Sequence, residues 1–120
     1  MKESALQRKV RKQIKAAFPY SETWKNHGSA LSKVGLEDIS CVINCHFIGR
    51  LLDGYNYDDT FSVYFAIETK LTNNKLSKRQ IKRCNDLAKI GCRYIQANED
   101  TNIVELINKW LSEQNLEAIS

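Results

Sequence analysis

From Phe61 to Leu71 the chain reads Phe-Ser-Val-Tyr-Phe-Ala-Ile-Glu-Thr-Lys-Leu. Aromatic and β-branched residues in a run of this length specify a strand. A strand this apolar must be covered on its faces, so the rest of the chain has to fold around it. It carries an acid and a base near its end, before the Asn73-Asn74 turn. Side chains at i and i+2 leave the same face of a strand, ~6–7 Å apart. Glu68 and Lys70 therefore point the same way from the end of a hydrophobic strand. Thr69 points to the opposite face, where it is expected only to pack.

A second strand is predicted over Asp38 to Ile48, where Ile39, Cys41, Ile43, Cys45 and Phe47 alternate with Ser40, Asn44 and His46. It opens after Gly35-Leu36-Glu37-Asp38. The same alternation accounts for Cys41-x3-Cys45-His46 better than zinc does. Cys45 and His46 fall on opposite faces, and the paired Cys-x2-Cys spacing is missing. The four cysteines read as reduced thiols. His27 and His46 are given no role.

Glu3 to Phe18 reads as an amphipathic helix with Leu6, Val10, Ile14, Ala17 and Phe18 as its stripe. Arg8, Lys9, Arg11, Lys12 and Lys15 cover its outer surface, as a solvated face or as a phosphate-tracking one. Pro19 ends it. The stretch from Pro19 to Val34 connects, with room for one short strand near Ala30 to Val34. Within it, Trp24 is a core or lid anchor or a base-stacking platform. Gly49 to Thr60 is a polar loop, long enough for a flap. Its Asp53, Asp58 and Asp59 lack the EF-hand spacing and terminal Glu.

Ser77-Lys78-Arg79-Gln80 is a capping box, with Ser77 as N-cap and Gln80 at the third helical position. The helix runs to about Ile90, closed by Gly91. Its inward residues are expected to be Ile81, Cys84, Leu87 and Ala88. Lys75, Lys78, Arg79, Lys82 and Arg83 cluster at its start. Positive charge there opposes the macrodipole, and suits a helix end that meets phosphate. A third strand follows over Cys92 to Ala97. A last helix from about Asn102 turns Ile103, Leu106, Ile107, Trp110 and Leu111 inward. The tail from Ser112 to Ser120 is polar and expected to fray.

This order predicts an α/β fold: a small mixed sheet flanked by helices on both faces, in one domain over residues 1–120. At 120 residues the chain is large enough for a single core. No run approaches the ~18 apolar residues of a membrane span, and Met1 to Ala5 leads into a charged helix rather than a signal core. A cytosolic protein is expected. A net charge of +4 and a pI of about 8.9 tilt its partners toward polyanions.

The acids and the base suggest phosphodiester hydrolysis. That reaction needs an activated water, a Lewis acid near the phosphate, and positive charge for the transition state. A hard cation such as magnesium takes carboxylate and carbonyl oxygens and keeps several waters. Asp38 and Glu68 can supply two carboxylates, and the carbonyl of Thr69 a third oxygen. Lys70 can orient or deprotonate the attacking water and offset developing charge. Gln80 could hold that water or Lys70.

Gly35-x-x-Asp38, Phe65-Ala66-Ile67-Glu68-Thr69-Lys70, Leu76-Ser77-x-x-Gln80 and Gly91 together resemble the PD-(D/E)XK nuclease superfamily, most closely its VRR-NUC (virus-type replication-repair nuclease) branch. The likeness runs from about Glu3 to Ala97. It implies a restriction-endonuclease-like αβββαβ core and magnesium- or manganese-dependent cleavage of DNA. Asp38 and Glu68 match the metal carboxylates, Lys70 the catalytic lysine and Gln80 the glutamine of the following helix. Glu3 resembles the acid that this branch often carries on its first helix. Glu37 stands where the motif name has proline, which is widely replaced. Lys12, Lys75, Lys78, Arg79 and Lys82 would contact nucleic acid. By the same analogy the chain would be a homodimer acting on branched DNA such as a Holliday junction, in bacterial or phage-infected cytosol. A sequence-specific restriction or homing endonuclease and a catalytically inert nucleic-acid-binding module are the alternatives.

Overall fold

A computed structural model of the chain describes residues 1–26, 37–49 and 60–120. The described elements run α1 (Glu3–Ala17), β1 (Ser21–Lys25), β2 (Ile39–Phe47), β3 (Thr60–Thr69), α2 (Lys78–Lys89), β4 (Arg93–Ala97), α3 (Ile103–Glu113) and β5 (Leu116–Ala118). The expected αβββαβ order is present, followed by a further helix and strand.

The five strands form one mixed sheet in the order β1-β2-β3-β4. β1 and β3 flank β2 antiparallel, and β4 runs parallel to β3. The parallel pair follows from the connection, since a crossover through α2 brings the chain back in the same direction. β5 pairs antiparallel with Cys45–Phe47 of β2, on the stretch of that edge which β1 leaves free.

The core lies on one side of the sheet. Ile39, Cys41, Ile43, Cys45, Phe65, Ile67, Ile95 and Ala97 all point to it. They pack with Leu6, Val10, Ile14 and Phe18 from α1 and Ile103, Ile107 and Leu111 from α3. Phe65 meets Trp110 edge-on, with ring centroids 5.3 Å apart. The other face carries Tyr64, Glu68 and Tyr94, and α2 sits there. The molecule is thus a mixed α/β fold, a small mixed sheet with helices on both faces. No helix among the described residues is long and apolar enough to cross a membrane.

Several expectations need correction. The first strand is Ser21–Lys25; residues 30–34, where it was expected, lie outside the described residues, as do His27 and most of the 49–60 loop with its three aspartates. Trp24 is no core anchor, being 45% exposed on the edge strand β1. Ala17 lies outside the buried stripe of α1. On α2 only Leu87 is buried, while Ile81 and Ala88 face solvent. That helix meets the sheet through polar side chains, so its apolar spacing does not mark its inner face. The tail does not fray. Leu116 and Ile119 are buried, and Ile119 N donates to Asn44 O at 2.9 Å. Backbone pairing to the unused β2 edge outweighs the polar composition of the segment.

Candidate active site

Glu68 is the last but one residue of β3 and is wholly buried. Each of its carboxylate oxygens has a donor. Gln80 Nε2 donates to Oε1 at 2.5 Å and the Tyr94 hydroxyl to Oε2 at 3.3 Å. Gln80 is itself fixed by the capping box. Ser77 N donates to its Oε1 at 2.8 Å, and its own N–H donates to Ser77 Oγ at 3.2 Å. One amide side chain therefore caps α2 and docks that helix onto Glu68.

Asp38 directly precedes β2. The register pairs Ile39 with Ile67, which brings Asp38 beside the end of β3. Its Oδ2 accepts from Thr69 N at 2.9 Å and from Thr69 Oγ1 at 2.7 Å. Asp38 also shares a hydrogen bond with Glu68 and repels it. Burial first, then the charge of Asp38 and that hydrogen bond, push Glu68 up to about 8; the Tyr94 hydroxyl and Lys70 pull it down. Two acids in a desolvated corner cannot both ionise without a cation, so near neutral pH Glu68 keeps a proton.

Lys70 closes the other side. Its backbone N–H donates to Ala97 O at 3.0 Å, the last rung between β3 and β4. Its ammonium lies 3.7 Å from Glu3 Oε1 in the first turn of α1. Glu3 Oε1 and Gln7 Oε1, one helical turn apart, are buried acceptors with no hydrogen-bond donor among the described residues. The N-terminal end of α1 thus turns a carboxylate oxygen toward Lys70.

The structure brings Asp38, Glu68, Lys70, Gln80 and Glu3 to one end of the sheet. Two expectations change. Thr69 does more than pack, because its hydroxyl and its N–H both hold Asp38. Gln80 holds Glu68, where water or Lys70 had been expected as its partner. The donor set fits a hard divalent cation. Asp38, Glu68 and the adjacent backbone supply only oxygen, which suits magnesium or manganese and not a thiolate-seeking metal. Among the described residues no three His, Cys, Asp or Glu side chains converge as a metal site. The pair stands as two carboxylates. Cys41 and Cys45 are buried in β2, and burial pushes their thiols up to about 12 and 11.

The sequence reading missed several roles. That of Tyr94 is one, since the side chain reaches Glu68 only because β4 pairs with β3. The others belong to a network beside the site. Glu37 is 1% exposed; Arg83 Nε of α2 donates to its Oε2 at 3.3 Å, and the Tyr64 hydroxyl donates to its Oε1. Tyr64 also bonds Ser40 Oγ at 2.9 Å, to which Asn26 Nδ2 donates at 2.9 Å. Arg83 is therefore tied to Glu37 and leaves the basic cluster. Lys82 is paired with Asp86 at 2.8 Å. Lys75, Lys78 and Arg79 are exposed at the start of α2. Lys12 is exposed on α1, beside Arg8, Arg11 and Lys15 in a groove against β1.

The sequence matches no protein-family profile and no curated protein. Among solved structures it is similar to Hjc, a Holliday junction resolvase from the archaeal hyperthermophile Archaeoglobus fulgidus. Identity is 16%, over 81% of this chain and 68% of that one, with a TM-score of 0.46.

Proposed function

We propose that this chain is a metal-dependent DNA endonuclease of the PD-(D/E)XK type, most similar to the VRR-NUC branch, built as a single domain. The observation that carries the reading is the buried Glu68 set against the partly buried Asp38, with Lys70 beside them. A buried acid set beside a second one destabilises a fold unless a cation uses the pair. Asp38, Glu68 and the Thr69 carbonyl would hold magnesium or manganese. When bound, such an ion supplies Lewis acidity toward a phosphate oxygen and toward water.

The remaining work falls to the protein. Gln80 and Tyr94 fix both oxygens of Glu68, and Thr69 fixes Asp38, so neither carboxylate has to reorganise. Lys70 orients or deprotonates the attacking water and offsets charge as it builds on the phosphate. Glu3 holds the Lys70 ammonium in place. Lys75, Lys78 and Arg79 at the start of α2 offer positive charge to the flanking phosphates, with Lys12 and Lys82 further out. Selectivity for branched DNA and action as a homodimer complete the proposal, by analogy with the family.

Incubating the purified protein with linear, flapped and four-way-junction DNA in magnesium, manganese or EDTA tests this. Metal-dependent cuts are expected, strongest on the junction. Glu68→Ala and Lys70→Ala should each lower the rate at least ~100-fold while DNA binding persists. Binding without cleavage under either metal would instead identify an inert module. Cuts confined to one linear sequence would identify a restriction or homing enzyme.

A further inference from the structure

Asp38 stands one residue before β2. Its carboxylate is held by Thr69, and its main chain is held from the opposite side. Asn26 directly follows β1 and comes next in register, across from Asp38. The Asn26 N–H donates to Asp38 O at 2.8 Å, and Asn26 Nδ2 donates to Glu37 O at 2.9 Å. These two carbonyls belong to the two peptide groups that flank the Asp38 Cα. Each peptide group is planar, so holding both sets φ and ψ of Asp38.

The same amide is itself held. Its second proton goes to Ser40 Oγ at 2.9 Å. Ser40 Oγ lies 2.9 Å from the Tyr64 hydroxyl, which donates to Glu37 Oε1. The protons give this chain a direction. Tyr64 has one proton and directs it to Glu37, so Ser40 donates to Tyr64 and accepts from Asn26. Glu37 O can only accept, so the nitrogen of the Asn26 amide, and not its oxygen, faces both partners. The bonds close a ring beside Asp38, from Asn26 to Ser40 to Tyr64 to Glu37 and back. Glu37 and Ser40 are buried, and an acceptor left unpaired there destabilises the fold. Arg83 Nε bonds the remaining Glu37 oxygen and ties the ring to α2.

We infer that Asn26 is a positioning residue for Asp38: its N–H and its amide hold the backbone from which the Asp38 carboxylate reaches Thr69 and Glu68. The inference rests on the nuclease reading and adds to it a residue that acts only through Asp38. Substituting the side chain removes the bonds to Glu37 O and Ser40 Oγ. The backbone bond to Asp38 O stays, so β1 keeps its place on β2. With Glu37 O released, Asp38 has to be reordered each time it takes up a cation, and outer partners of a carboxylate ligand act on affinity and rate in this way.

Asn26→Leu, close to asparagine in shape and without a donor, tests it. Asn26→Ala serves where the larger apolar group disturbs the strand end. Manganese binding is measured by calorimetry, and single-turnover cleavage of junction DNA at saturating manganese. Leu116→Ala, at the far end of β2, controls for lost stability. The Asn26 variant should bind manganese about tenfold more weakly. Its saturated rate should also fall about tenfold, at an unchanged half-saturating DNA concentration. Leu116→Ala should keep the wild-type manganese affinity. A folded Asn26 variant with wild-type affinity and rate overturns the inference, as does a loss of affinity that Leu116→Ala shares. A wild type that binds manganese and cuts no DNA overturns the nuclease reading alone, and the affinities still decide the role of Asn26. A wild type that binds no manganese overturns both.

Discussion

Glu68 is held by two donors from two different elements, and its neighbour Asp38 by a third residue. The protonation of Glu68 makes the site readable by stability alone. Its value in the folded protein is about 8, against 4.5 for an ordinary glutamate. Between those values the folded chain binds a proton that the unfolded chain has released. Stability from this group is therefore full below about 4.5 and is lost as pH climbs toward 8. The melting temperature of metal-free protein should fall over that window, and Glu68→Gln should flatten the fall. On the proposed reading, magnesium at pH 8 should restore it, because the ion would take the proton's place. Tyr94→Phe removes one donor without opening a cavity. It should weaken manganese binding ~10-fold or more by calorimetry while barely moving the melting temperature. Asp38, Glu68 and Lys70 were legible in the sequence because each stands where an apolar strand meets charge. Tyr94, Glu37 and Arg83 were not, because their roles depend on which strand or helix lies opposite, and spacing along one segment carries no such information.

Among the elements, α2 shows the limit of pattern reading most sharply. Its start was fixed by Ser77 and Gln80, and the structure agrees. Its inner face was not, because the helix rests on Gln80, Arg83 and Leu87 instead of an apolar stripe. Two substitutions separate cap from site. Ser77→Ala should cost about 1 kcal/mol of stability in a denaturant titration. Gln80→Glu keeps a side chain that can accept from Ser77 N, so the helix should persist. It also sets a third carboxylate against Glu68, and manganese affinity should change far more than stability does. Arg83→Met strands Glu37 without its cation and should cost about 3 kcal/mol, somewhat moderated by the partial exposure of Arg83.

For the whole molecule, β2 is the shared spine. It pairs with β3 along one edge and with β1 and then β5 along the other. The mixed sheet between helix layers followed from the alternation of helical and strand periods. The pairing of β5 did not, since three residues in a polar tail give no period to detect. Leu116→Ala and Ile119→Ala should each cost ~2–4 kcal/mol by chemical denaturation, with manganese affinity intact, because they lie at the far end of β2 from Asp38. The candidate site is more delicately hung. The carboxamide of Gln80 is a pin through both the first coil of a helix and the acid that would grip the ion. Warming that loosens this single coil takes away one of the acid's two donors while the sheet stays whole, so activity should fade at a lower temperature than the one at which the fold melts.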